Sequence, residues 1–194
     1  MPKIDSKKFY TQAIKRYGIT PRGLNWNSRI SQTLRFDIIL ELLPKNLSKN
    51  TLVDAGCGFG DFFLYLQQND IAIKRYTGID EISSMCRIAQ EQTNQTIIQA
   101  NILQEELPLA DYYICSGALN VLTKFETFQF IQNCYKHAEY GFVFNILFGE
   151  KESDIYNYFT LSDIKTLAAS LGVQKMTIQQ DYIDNDITVG FFKL

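Results

Sequence analysis

The stretch Thr51 to Phe62, TLVDAGCGFGDF, sets three glycines two residues apart directly after a short apolar run. A strand that runs into a glycine-rich turn and then into DFFLYLQQ, a helical pattern, is the opening unit of a parallel α/β sheet. The same rhythm continues downstream. RYTGID reads as a second strand and ISSMCRIAQEQ as a helix; TIIQA reads as a third strand. DYYICS is apolar on both faces, as a central parallel strand requires. Thr123 and Glu126 form a capping-box pattern ahead of Phe128, Ile131, Tyr135 and Ala138 at helical spacing. GFVFNILF is a fifth strand, and Thr160 with Asp163 opens another helix that Gly172 ends. The last two runs, VQKMTIQQDYI and ITVGFFKL, flank DND and read as an antiparallel hairpin.

Two helices precede this unit. Phe9, Tyr10, Ala13, Ile14 and Tyr17 share one face, and Gly18 stops the pattern. Ile30, Leu34, Ile38 and Leu42 recur every four residues until Pro44, which predicts that this row faces the core. The expectation is one domain over 1–194, with 1–48 as an N-terminal helical lid and 49–194 as the ligand-binding core.

Ligands of such sheets bind beyond the carboxyl ends of the strands, where the strand order reverses. The spacing of Gly56, Gly58 and Gly60 decides among them. A dinucleotide fingerprint needs a small residue at position 61, which holds Asp61. Asp54 stands just before the glycines, and two carboxylates repel a pyrophosphate by on the order of several kcal/mol at intermediate dielectric. No Gly-Lys-Ser/Thr follows, so a triphosphate loop is excluded. A ligand with a cationic end and no phosphate fits the two acids.

LVDAGCGFGDF resembles the first motif of class I S-adenosylmethionine-dependent methyltransferases. Asp80, ending YTGID, and Asn101, in IIQANIL, fall where that family holds the ribose hydroxyls and the adenine amino group. The resemblance, over about residues 51–194, implies a Rossmann-like α/β fold. Its seven-stranded, mostly parallel sheet would have a C-terminal antiparallel hairpin, helices on both faces and further N-terminal helices. It implies S-adenosyl-L-methionine as cofactor, held by Asp54, Gly56, Gly58, Asp80, Asn101 and Ser116, with Ile82 and Ile102 on either side of the adenine. Arg35 is a candidate clamp for the methionyl carboxylate.

The acceptor is less marked. SGALNVL, after the fourth strand, lacks the Asn/Asp-Pro-Pro-aromatic stretch of enzymes that methylate base amines, and resembles the small-molecule methyltransferases. His137, the one histidine, lies late in a helix away from the strand ends, so no imidazole base is evident and no catalytic residue is assigned. That favours an acceptor already nucleophilic, a carboxylate or thiolate among the candidates, or catalysis by alignment alone. Trp26, Arg22, Asn120, Tyr156 and Tyr158 are the substrate-side candidates. Trp26 can cover the acceptor or face the sulfonium, where a cation–π contact contributes about 1 kcal/mol. Arg22 or Arg29 can meet an anionic acceptor.

Charge leaves a rival open. Residues 1–50 carry ten Lys/Arg against three acids, and the remainder nine against eighteen. A basic N-terminal region can serve an RNA or protein acceptor. The dispersed positions and a pI near 5.5 favour a small molecule, without nucleic acid or membrane, for a monomer or homodimer. A non-catalytic methyltransferase-fold subunit is the remaining alternative. Cys57, Cys86, Cys115 and Cys134 have neither CxxC spacing nor histidine company, which predicts no metal site and reduced thiols in a cytoplasmic protein. MPKIDSKKF lacks the apolar core of a secretory signal, and no apolar run reaches membrane-spanning length.

Overall fold

The structure is a computed structural model that describes residues 4–24 and 28–193. The described chain forms a seven-stranded sheet in the order β3-β2-β1-β4-β5-β7-β6. Its strands are β1 (Thr51–Ala55), β2 (Arg75–Asp80), β3 (Thr96–Gln99), β4 (Ala110–Cys115), β5 (Ala138–Leu147), β6 (Lys175–Gln179) and β7 (Asp186–Phe192). The first five run parallel, and β7 is antiparallel to both β5 and β6. The helices are α1 (Ser6–Tyr17), α2 (Arg29–Leu42), α3 (Asp61–Gln68), α4 (Ser83–Thr93), α5 (Lys124–His137) and α6 (Leu161–Ser170). The strand order turns back between β1 and β4, so the crevice at that switch point lies at the end of the glycine turn.

Local signals account for most boundaries. Thr123 and Glu126 close a reciprocal capping box at the start of α5, as do Thr160 and Asp163 at α6. Each box satisfies two of the otherwise orphaned N–H groups of a helix start. Gly18 ends α1 with its N–H on the Ile14 carbonyl. Two short 3-10 turns, Pro21–Leu24 and Ala118–Val121, follow α1 and β4.

Apolar side chains pack on both sheet faces. One side joins Phe36, Ile39 and Leu43 of the α2 region to Leu52, Phe62, Phe63, Tyr76 and Val143. The other buries Tyr113, Phe130, Ile131, Phe142, Phe144 and Ile164 under α5 and α6. A third cluster, Phe59, Ile82, Met85 and Ile88, is covered by Tyr10, Ile14 and Leu24. Of the segment expected as a lid, α1 and the turn after it therefore lie over the glycine turn and α4. The α2 helix packs against the sheet, beside β5 and β7.

The expected inner row of α2 is corrected. Ile30 is 79% exposed, and Leu34, Ile38 and Leu42 are only partly buried. The buried face is Gln32, Arg35, Phe36 and Ile39. A four-residue repeat drifts about 40° around a helix per step, so it cannot follow one face for fourteen residues. Two polar residues displace the apolar ones inward because each finds an acidic partner. Gln32 hydrogen-bonds Asp61, and Arg35 binds Asp186.

Candidate functional site

The glycine turn owes its course to backbone conformations that a side chain resists. Gly56 has φ 80° and Gly58 has φ 56°. The Gly56 and Cys57 N–H groups both bond the Ile79 carbonyl, at 2.8 and 3.0 Å, which docks the turn on the end of β2. A Cβ on Gly56 would stand 2.5 Å from the Ala118 Cβ, and one on Gly58 would stand 3.0 Å from Leu24. Gly56→Ala is therefore expected to lose about 1–3 kcal/mol in urea unfolding, from strain and the clash together.

Asp80 ends β2 and closes the turn from below. Its Oδ2 accepts the Gly58 N–H at 3.0 Å and its Oδ1 the Ile82 N–H at 2.9 Å. Burial pushes its carboxyl from 3.8 up to about 6, while those backbone N–H bonds pull it down. Asp54, at the end of β1, is pushed further, to about 7. Burial is the main cause. The bond from the Tyr76 hydroxyl at 2.7 Å opposes it, and the nearby Asp80 and Asp61 add to it. Asp61 is raised by burial too, against the pull of Gln32 and Arg29.

These acids line one cavity of about 600 Å³ at the carboxyl ends of β1, β2, β3 and β4. Phe9, Tyr10 and Leu24 come from the N-terminal segment to its wall. Of the residues singled out in the sequence, Asp54, Gly56, Gly58, Asp80, Ile82, Asn101, Ile102, Ser116, Asn120 and Tyr156 all border it. Asn101 is oriented by two bonds. Its Nδ2 donates to Glu81 Oε1 at 3.2 Å, and its Oδ1 accepts the Leu103 N–H at 2.9 Å.

Four candidates are placed otherwise. Arg35 turns away from the cavity; its Nε bonds Asp186 Oδ2 at 2.8 Å, its second terminal nitrogen bonds the same oxygen, and its first bonds the Ser31 carbonyl at 3.2 Å. Its guanidinium is thus engaged by Asp186 and Ser31, and Arg35 does not border the cavity. Arg22 is exposed and Tyr158 is not part of the wall. Trp26 lies outside the described residues. His137 is buried at the end of α5 with Nδ1 against the Asn133 carbonyl at 2.8 Å, remote from the strand ends.

The structure also brings in residues that sequence reading passed over. Phe9 and Tyr10 reach the cavity from α1, and only their place on an amphipathic helix hinted at a covering role. Asn145 is buried near the carboxyl end of β5, bonded on one side to Ser116 and on the other to Thr188. A lone amide inside GFVFNILF was the available signal, because a doubly covered strand tolerates a polar group only with partners.

A parallel sheet closed by an antiparallel β7, with acids at the ends of β1 and β2 around a glycine turn, defines the class I methyltransferase fold. Residues 52–141 match the family model described as methyltransferase domain. No curated protein sequence matches the chain. Among solved structures, the chain is similar to magnesium protoporphyrin IX methyltransferase from Synechocystis PCC 6803 with bound S-adenosylhomocysteine. The identity is 15% and the TM-score 0.75, over 97% of this chain and 98% of that one. It is also similar to a possible histamine N-methyltransferase from Thermotoga maritima, with identity 12%, TM-score 0.71 and coverage of 97% and 99%. Human N-acetylserotonin methyltransferase in complex with S-adenosylmethionine aligns at 12% identity and TM-score 0.71, over 98% of this chain and 60% of that one. The chain thus has the fold of class I S-adenosylmethionine-dependent methyltransferases, and residues 52–141 match a methyltransferase domain.

Proposed function

We propose that the protein is an S-adenosylmethionine-dependent methyltransferase that acts on a small molecule, and that the cavity at the switch point holds both the cofactor and the acceptor. The observation that carries the reading is the cavity itself: about 600 Å³, bordered by the strand ends and by Phe9, Tyr10 and Leu24 of the N-terminal segment. A volume of that order suits compact ligands. Its wall carries acids from β1, β2 and α3, the opposite of what a phosphate backbone requires, which weighs against RNA.

Individual wall residues support the cofactor reading. A positive-φ turn without Cβ atoms admits close approach at Gly56 and Gly58. Asp80 would accept from the ribose hydroxyls, Ile82 and Ile102 would flank the adenine, and Asn101 would meet its amino group. Those residues stand on the β2 and β3 side, so the methionyl end would point towards Asp54 and Ser116. The acceptor would then lie towards Asn120 and Tyr156. The span from β3 to β4 is three strand spacings, roughly 14 Å, enough for an extended cofactor.

The bound cofactor supplies an electrophilic methyl carbon on a sulfonium. The protein's part would be alignment and exclusion of water: the wall at Ser116, Asn120 and Tyr156 would hold the acceptor lone pair against the cofactor's methionyl end. No histidine borders the described cavity, so alignment carries the step.

Calorimetric titration with S-adenosylhomocysteine tests the placement. Wild-type protein is expected to bind in the micromolar range. Asp80→Ala removes one charged acceptor pair and is expected to weaken binding by about tenfold to a hundredfold, at about 1.4–2.8 kcal/mol. Binding unchanged by Asp80→Ala would overturn the assignment of the ribose end.

A further inference from the structure

A chain of buried side chains runs from the Arg35–Asp186 ion pair to the cavity wall, and its hydrogen bonds have only one consistent direction. Arg35 is a cation at any working pH, so the carboxylate of Asp186 beside it only accepts. The Tyr182 hydroxyl lies 2.7 Å from Asp186 Oδ1 and must spend its proton there. Tyr182 and Thr188 hydroxyls are 2.8 Å apart, so Thr188 is the donor of that bond. Thr188 Oγ1 then accepts from Asn145 Nδ2, at 2.6 Å, which turns Asn145 Oδ1 towards β4. Ser116 Oγ stands 2.8 Å from that oxygen and donates to it. Ser116 therefore faces the cavity with lone pairs and no proton to give.

A second observation on the same wall agrees. Asn120 borders the cavity, and its Oδ1 is buried without a hydrogen-bond partner among the described residues. A buried carbonyl oxygen left unpaired is costly, so a donor arriving there is favoured. The charged groups of the wall point the same way. Asp54, Asp61 and Glu126 border it, and Lys7, the cation of the described wall, lies 3.4 Å from Glu81.

We propose that Ser116 and Asn120 form a donor-accepting subsite at the methyl-transfer end of the cavity, with its polarity set by the Arg35–Asp186 pair through Tyr182, Thr188 and Asn145. The subsite takes an acceptor molecule that presents N–H groups, a neutral amine that attacks through its own lone pair, and discriminates against a carboxylate or phosphate. It rests on the proposed placement of the cofactor, with its methionyl end towards β4. Ser116 and Asn120 are binding residues in this scheme; Thr188 and Asn145 are positioning residues.

The test compares two cofactor analogues by calorimetry: S-adenosylhomocysteine, and sinefungin, in which an amine-bearing carbon stands in place of the methylated sulfur. The amine of sinefungin puts N–H donors at the methyl-transfer end. Wild-type protein is expected to prefer sinefungin at least tenfold. Ser116→Ala and Thr188→Val are each expected to cut that preference to less than threefold, whereas Thr188→Ser, which keeps the hydroxyl, retains it. The ratio within each variant is the readout, since a general loosening weakens both ligands alike. If Thr188→Val fails to fold, Ser116→Ala, at a partly exposed position, carries the test. Equal binding of the two ligands to the wild type overturns the subsite alone. A preference that survives both Ser116→Ala and Thr188→Val does the same. Failure of the wild type to bind either ligand overturns the cofactor placement and the subsite with it.

Discussion

Replacing Arg35 by methionine is expected to destabilise the protein by about 3–5 kcal/mol in urea unfolding. The substitution leaves the Asp186 carboxylate, 2% exposed, without its cation in the interior. The hydrophobic stem of the guanidinium is roughly replaced, so most of the loss is the uncompensated charge. Arg35→Met combined with Asp186→Asn removes both charges and keeps an amide for Tyr182 to bond, and it is expected to recover most of the stability. A double variant no more stable than Arg35→Met would mean that the fork geometry, rather than the buried charge, holds α2 on the sheet. Burial raises the Asp186 carboxyl and the Arg35 bonds lower it, the balance expected of an ion pair inside a core.

The second large effect concerns Asp54 and has the opposite sign. Its carboxyl is raised from 3.8 to about 7 in the folded protein by burial. A raised carboxyl means that the folded state holds its proton more tightly than the unfolded chain. The contribution to stability is fully present below pH 3.8 and is lost as pH rises through about 7. Three units correspond to on the order of 4 kcal/mol. Asp54→Asn mimics the protonated form and leaves an oxygen for the Tyr76 hydroxyl. Denaturation curves between pH 4 and pH 8.5 are expected to coincide for the two proteins at the acid end. The variant should draw ahead by about 4 kcal/mol at the alkaline end. A constant offset across that range would mean that Asp54 does not carry the pH dependence. Asp80, raised to about 6 for the same reason, gives a smaller loss over a lower window and is present in both proteins.

The cost of ionised Asp54 gives the site a use for it. A ligand ammonium beside the carboxylate lowers its pKa and recovers part of the penalty, so binding a cationic group and stabilising the fold become linked. In the proposed site the glycine turn, Asp54 and Asp80 would act as one unit, in which the backbone sets the approach and the buried acids select charge.

Sequence by itself determined the alternation that makes a parallel sheet, the turn at Gly56–Gly60, the acids at the strand ends and both capping boxes. Each is a local signal: a run length, a positive-φ requirement or an i,i+3 pair that neighbouring residues satisfy between themselves. The cavity-bordering positions Asp54, Asp80, Ile82, Asn101 and Ser116 were legible for the same reason, since they follow strand ends whose places were already set. What Arg35 binds was decided only by the tertiary structure, because its partner stands 151 positions away on β7. The buried face of α2 had the same origin: Gln32 and Arg35 could turn inward only once Asp61 and Asp186 stood there. The hydrogen-bond chain through Tyr182, Thr188 and Asn145 to Ser116 joins four separate segments, and its direction follows from one ion pair at its far end. No short-range pattern records such a chain, because a hydroxyl or an amide acquires a fixed donor or acceptor role only from the groups that folding places around it.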